Sequence, residues 1–372
     1  MPLILRNRTD IEDLTRGCTF FGTGGGGDME LGLKMLYPHV DEGVEIEIVD
    51  VESIGDDDWL ACPYYSGTIA PPTPEIEEKR TRFPWDYYEM ELAEGLAALE
   101  EHMGLSFAAA VPFELGGVNT PAPIDAAVKH GIPCVDGDYT GRAVPEICQN
   151  TVCSKGFSMA PLALVDWYGD KTIVHEIINY EMGERISKAL SEAAWGRVGN
   201  VGFPVRGTAF REAVIPGTLS KSYNVGRIIR ESQESGDTAA DRIVSEIGGW
   251  ILFEGTVENK NWENREGYMW GETTIDGESG LKDGSTLKIW FKNENHVTWI
   301  DGEPWVTSPD IIEIIDRKTG EPITNTNLKK GDDVSVIGMK APENLREPNA
   351  VKVLSPQYFG FNIEYRRIED IV

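Results

Sequence analysis

Residues 105–135, LSFAAAVPFELGGVNTPAPIDAAVKHGIPCV, decide the fold class. Leu105 to Val111 is a short apolar run with the length and residue types of a buried strand, and it stops at the polar, glycine-bearing turn from Glu114 to Asn119. Pro121 to His130 then reads as a helix with prolines in its first turn, where a missing N–H donor does no harm. Gly131-Ile132-Pro133-Cys134-Val135 leads into a second strand that ends at Asp136. Strand, turn, helix and strand in ~30 residues make a βαβ unit, whose two strands lie parallel.

The pattern continues upstream. Asp10 opens a helix with Ile11, Leu14 and Cys18 on one face, and the glycines at 22 and 24–27 break it. A second helix spans Asp28 to Leu36, Val44 to Val49 alternates as a strand, and Trp59 to Cys62 is another. Residues 86–103 place Leu92, Leu96, Leu99 and Met103 at helical spacing. Downstream, amphipathic helices are expected at 178–195 and 237–247. After Gly248-Gly249 the texture changes to short alternating strands, such as Leu287 to Phe291 and Val334 to Ile337, separated by Asp-Gly, Thr-Gly and proline turns. The expectation is an α/β N-terminal domain over 1–249, its mixed or parallel sheet covered by helices on both faces, and an all-β barrel or sandwich over 250–372.

Composition narrows the function. Thirty-four Lys and Arg against 62 Asp and Glu give a net charge of −28, which argues against a nucleic-acid partner because neutralising phosphates takes clustered cations. Asp41 to Asp58 holds nine acids and no base, a solvated, self-repelling surface or the mark of a salt-adapted source. No run approaches the ~20 apolar residues of a membrane span, and the start MPLILRNRTDIEDL lacks a secretory pattern, so a cytoplasmic location is expected. Five widely spaced cysteines suit reduced thiols.

Three segments carry candidate chemistry. Gly22-Thr23-Gly24-Gly25-Gly26-Gly27-Asp28 exposes backbone N–H groups ahead of a helix and suits an anion or carboxylate; a flexible hinge is the alternative. The loop lacks the Gly-Lys-Ser/Thr of a phosphate loop and follows a helix, so no nucleotide cofactor is expected. Asp136, Asp138 and Arg142 in Val135-Asp136-Gly137-Asp138-Tyr139-Thr140-Gly141-Arg142 suit water activation, substrate orientation or one divalent metal ion held by Asp136 and Asp138. A capped turn in which Asp138 pairs with Arg142 is the structural alternative. Past the first strand of the βαβ unit, Glu114 is placed to act as a base, with Gly116, Gly117 and Asn119 as a donor nest. Both polar clusters lie beyond strand carboxyl ends, the rim where open α/β sheets bind ligands. Cys134, two residues before Asp136, is a conceivable nucleophile but suits a buried strand better. Scattered histidines offer no zinc pattern.

Taken together, GTGGGGD, PFELGGVNTPAPIDAA and CVDGDYTGRAVPEI resemble signature stretches of the S-methyl-thiohydantoin desulfurase family. Lys292-Asn293-Glu294-Asn295, Ser308-Pro309-Asp310-Ile311-Ile312 and Ser355-Pro356-Gln357-Tyr358-Phe359-Gly360 are similar to that family's β-domain marks. The resemblance covers nearly the whole chain, in order; the family pattern differs at Cys134, usually aliphatic there, and at His296, usually apolar. It implies an α/β domain followed by a β domain and an association with hydantoin and thiohydantoin breakdown. The expected function is that of a cytosolic hydrolase that desulfurises a thiohydantoin or its S-methyl form. Asp138 or Glu114 would be the base, with Asp136 holding water, substrate or metal. Gly116-Gly117 and Arg142 would meet developing charge, Gly24 to Gly27 would bind the substrate's carbonyl or carboxylate, and Glu294 would close the cleft. The alternative is a non-catalytic ligand-binding subunit of a hydantoinase or oxoprolinase-type partner; a homo-oligomer is also expected.

Overall fold

The computed structural model describes residues 2–67, 72–82, 89–277 and 284–372. An eight-stranded sheet organises the first half, in the spatial order Leu3–Leu5, Ile46–Val49, Cys134–Val135, Ala109–Ala110, Trp59–Gly67, Arg197–Arg206, Leu162–Asp166, Lys171–Val174. The four strands from Ile46–Val49 to Trp59–Gly67 run parallel, and the outer pairings are antiparallel, so the sheet is mixed.

Both faces are covered, and the period-two alternation of the strands shows how. Ile48, Cys134 and Ala110 face one core, with Ile11 and Leu14 of the helix Arg8–Phe20 and Leu36 of the helix Met29–Asp41. Their neighbours Val135, Ala109 and Val111 face a second core with Phe210 and Leu354. A strand buried on both sides reads as a continuous apolar run, which is why Leu105 to Val111 was legible. Only Ala109–Ala110 is laddered, however, because the Phe107 N–H is bonded to Glu100 Oε1 at 2.6 Å.

The second sheet has seven strands, all antiparallel, in the order Glu303–Thr307, Glu294–Ile300, Thr286–Lys292, Tyr268–Gly277, Trp250–Arg265, Asp333–Met339, Ile311–Asp316. It curls into a half-barrel around Phe253, Val257, Ile275, Ile289 and Val336. The strands of the first sheet thus end at Arg206, and those of the second begin at Trp250. Afterwards the chain returns to the α/β half, where Ala341, Leu345, Ala350 and Leu354 join its second core. Arg346 anchors that return: it is buried against Asp310, which also accepts from the backbone of Ala341 and Ile368.

The helices expected at 178–195 and 237–247 are Tyr180–Ala193 and Ala239–Ile247. The one expected at 86–103 is Glu91–Met103, and positions 86–88 lie outside the described residues. The longest described helix, Thr218–Ser235, has no counterpart among the elements expected from the sequence. It crosses Arg8–Phe20 through small residues: a Cβ on Gly17 would stand 1.7 Å from Ser222 O, and one on Gly226 1.7 Å from Asp13 O. A seam made of Ser222 and Gly226 carries a weak apolar signal. Among the described residues, no helix is long and apolar enough to cross a membrane.

Candidate active site between the two halves

A cleft of about 430 Å³ opens where the glycine loop, the turn after Ala109–Ala110 and the start of the strand Glu294–Ile300 meet. Its wall carries Glu114 and Asn119 from the α/β half and Asn293 and Glu294 from the β half.

The glycine run exists because backbones approach closely there. A Cβ on Gly24 would lie 2.1 Å from Glu294 Cα, one on Gly25 1.8 Å from Glu294 Oε1, and one on Gly26 2.6 Å from Gly116 Cα. Gly26 and Gly27 also sit at φ +69° and +92°, which side-chain-bearing residues rarely adopt. Gly26 O accepts from the N–H groups of Val118 and Asn119 at 2.8 and 3.0 Å, locking loop to turn. Asp28 then caps the next helix through Glu30 N–H at 2.8 Å.

Glu114 is 4% exposed, yet both its oxygens are held: Asn119 Nδ2 donates to Oε1 and Val144 N–H to Oε2, each at 2.7 Å. Burial pushes its carboxyl up to about 7, and those two donors oppose the shift by favouring the anion. Glu294 owes its position to a tight reversal at Asn293, whose φ of +58° suits an asparagine. Asn293 fixes the reversal by bonding Met269 twice, N–H to O at 2.7 Å and Oδ1 from N–H at 2.8 Å. Glu294 Oε2 is buried with no hydrogen-bond partner among the described residues. Burial, and then the charge of Glu114, raise its carboxyl well above the ordinary range. The pair is therefore asymmetric: burial lifts Glu114 to about 7 and Glu294 well above the ordinary carboxyl range.

Asp136, Asp138 and Arg142 do not line the cleft. Asp136 caps the helix Thr218–Ser235: Oδ1 accepts from Leu219 and Ser220 N–H at 3.0 Å each, and Oδ2 from Ser220 Oγ at 2.5 Å. Asp138 closes its own turn, with Oδ2 accepting from Thr140 and Gly141 N–H at 3.1 and 2.8 Å; burial raises its carboxyl to about 6. Arg142 leaves that turn rather than pairing with Asp138. It donates to the carbonyls of Ala143, Asn295, Pro309 and Asp310, stitching the two halves together beneath the cleft. Its main chain supports the site from below, because Leu115 N–H bonds Arg142 O at 3.2 Å. Gly116 N–H is already given to Thr120 Oγ1 at 3.0 Å, and Gly117 packs its Cα against the loop at Gly27 and Asp28.

For a metal at Asp136 and Asp138, both Asp136 oxygens and Asp138 Oδ2 are taken by backbone and hydroxyl donors, which leaves Asp138 Oδ1, buried with no hydrogen-bond partner among the described residues, as a single free oxygen. Among the described residues, no group of three or more His, Cys, Asp or Glu converges as a metal shell. The five cysteines are unpaired, and burial pushes the Cys134 thiol up, as expected of a packed strand residue.

Sequence reasoning missed the opposite wall. Glu184 and Lys188, one turn apart on the helix Tyr180–Ala193, face the cleft with Tyr65 and Arg197. Glu184 accepts from Ile147 N–H and Tyr268 OH at 2.6 and 3.0 Å. An acid and a base at i and i+4 usually mark a solvated helix face. The usable sign is the amphipathic pattern of that helix, which marks a buried face without naming the polar residues on it.

Gly25→Ala tests the loop. Its new Cβ meets the far end of Glu294, which swings aside, so we expect a kcat loss of roughly 10²-fold with little change in Tm. Gly24→Ala meets main chain instead and should lower Tm measurably, as thermal melts of both variants would show.

No curated protein matches the chain. A crystal structure of a protein from Chromobacterium violaceum superposes with a TM-score of 0.77, covering 98% of this chain and 100% of that one at 20% identity, a likeness of fold. Family models described as the S-Me-THD-like N-terminal domain and the S-Me-THD-like C-terminal domain match residues 9–176 and 178–368. The sequence marks, the two-part fold and these matches agree: the chain belongs to the S-Me-THD-like family.

Proposed function

We propose that the protein is a hydrolase that replaces the sulfur of a thiohydantoin, or of its S-methyl form, by oxygen to give a hydantoin, and that it does so in the cleft of Glu114 and Glu294. Membership of the family supports thiohydantoin-related chemistry. The observation that carries the reading further is the asymmetric carboxyl pair, one member from each half of the chain, buried on a single cleft. Two acids whose surroundings push their ionisation apart can serve as base and acid at one pH.

Glu114, ionised and held by Asn119 and Val144, takes a proton from water as the water oxygen bonds to the sulfur-bearing ring carbon. Glu294, still protonated, donates a hydrogen bond to the ring as negative charge develops in the tetrahedral species. The carbon–sulfur bond then breaks, with its electron pair leaving on sulfur. The cleft volume of about 430 Å³ lies in the range of small-molecule pockets, about 300–1,000 Å³.

The test is sulfide or thiol release from synthetic thiohydantoins across pH. We expect kcat/KM to rise through pH about 7 as Glu114 ionises, and to fall at higher pH as Glu294 loses its proton. A flat profile from pH 6 to 9, or no sulfur release, would contradict the assignment.

A further inference from the structure

A proton has to reach the departing sulfur, and in the scheme above both carboxyls are already engaged, one with the water and one with the ring. Glu114 receives the proton of water, and Glu294 lies beneath the glycine loop on the inner side of the cleft. The cleft communicates with a larger groove of about 990 Å³ through a neck at which Leu31, Tyr65, Gly67, Lys188 and Arg197 line both. The scheme above requires a ring seated against Glu114 and Glu294 to turn its leaving group toward that neck.

Two cations stand there. Arg197 is bound to Glu91 at 3.1 Å and stacked 4.1 Å over the Tyr65 ring, and a guanidinium does not give up its proton. Lys188 Nζ donates to Gly267 O at 3.2 Å, lies 3.8 Å from Glu184 Oε1 and sits 3.7 Å over the Tyr268 ring. The Lys292 ammonium approaches the other side of this cluster, 4.1 Å from the Tyr268 ring, and itself pairs with Glu146.

We infer that Lys188 is the general acid that protonates the leaving sulfur. This rests on the desulfurase reading above. As the carbon–sulfur bond breaks, sulfur keeps the electron pair and takes one proton from Nζ, leaving as methanethiol from the S-methyl substrate; from a thiohydantoin it leaves as hydrogen sulfide, whose second proton is the one the new hydroxyl sheds as it becomes the carbonyl. Lys188 is left as a neutral amine, and Glu114 holds the proton of water. That proton returns to Lys188 through solvent, so the cycle closes without any co-reactant. Burial lowers the Lys188 ammonium, easing the transfer, while Glu184 keeps it charged beforehand. Glu184 is in this scheme a positioning residue.

Leaving-group dependence distinguishes an acid from a structural cation. S-methyl and S-(4-nitrophenyl) thiohydantoins would be compared in the wild type, Lys188→Met and Lys188→Arg. A nitrophenyl thiolate needs no proton to depart. We expect both variants to lose about 10²-fold or more in kcat on the S-methyl substrate and less than about threefold on the nitrophenyl one. Lys188→Arg retains the charge and the packing, and so guards against a folding artefact. Equal losses on both substrates, or full activity of Lys188→Arg on the S-methyl one, would overturn the proposal while leaving the desulfurase reading in place. A wild type that releases thiol from neither substrate would instead overturn that reading and this proposal with it.

Discussion

Glu114→Gln is expected to reduce kcat for sulfur release by about 10²–10⁴-fold, the range for loss of a positioned general base. KM should change little, because the amide keeps the size of the acid. Substitution has two opposing effects on stability. The amide no longer carries the buried charge whose cost pushes this carboxyl up to about 7. It also turns an N–H₂ group toward either Asn119 or Val144, leaving a donor unpaired at a cost of about 1–3 kcal/mol. Ionising Glu114 in the folded protein is harder than in the unfolded chain, so folding stability falls as pH rises from the ordinary value of 4.5 toward about 7. The variant should lose that part of the slope, which melts at pH 5 and 8 would show. A variant that still turns over at the wild-type rate would remove Glu114 from the chemistry.

Arg142→Met is expected to give the largest stability loss, about 3–5 kcal/mol, as when one partner of a buried ionic arrangement is removed. The side chain is 1% exposed and serves four carbonyls on both sides of the domain junction. Its positive charge also holds down the carboxyls of Glu294 and Glu313, which burial raises. Removing it should therefore move the falling, alkaline limb of the pH–rate profile to still higher pH, whereas a purely structural contact would leave that limb in place. Denaturation and rate profiles of the same preparation would separate the two effects.

Those two arginine and glutamate roles show how far sequence reasoning reached. Strand alternation and helix periodicity were legible where apolar side chains do the packing, as at Ile11, Leu14 and Cys18 or Leu92, Leu96 and Leu99. The same reasoning passed over Thr218–Ser235, where close approach of two helices replaces apolar periodicity with Ser222 and Gly226. Glu114 and the glycine loop stand on the cleft because a polar residue just past a parallel strand has few other places to go. Asp136-Gly137-Asp138 has the composition of a reactive motif, but Asp136 is bound to a helix start that was not foreseen as a neighbour, and Asp138 caps its own turn, as the structural alternative had it, without the Arg142 pairing. Asp-x-Asp spacing alone cannot separate those uses, since caps and catalytic bases use the same residue type. Lys188 was hidden for the reverse reason: its i,i+4 partner Glu184 makes the pair resemble ordinary surface charge.

The −28 charge also reads differently with the structure in hand. Glu45 and Glu47 on and beside the strand Ile46–Val49, and Asp56 and Asp57 after it, are exposed, so much of that acidic stretch is solvated surface. At the cleft, by contrast, the cations Lys188 and Arg197 stand among the acids Asp28, Glu114, Glu146, Glu184 and Glu294.

The measurement that bears most directly on the central claim is a crystal structure of the Glu114→Gln variant soaked with a thiohydantoin. The account predicts the ring in the cleft between the glycine loop and Glu294, its sulfur-bearing carbon within about 3–3.5 Å of a water that also touches residue 114, and its sulfur toward Lys188. A ring bound instead against Asp138 and Arg142, with the cleft at Glu294 empty, would contradict it.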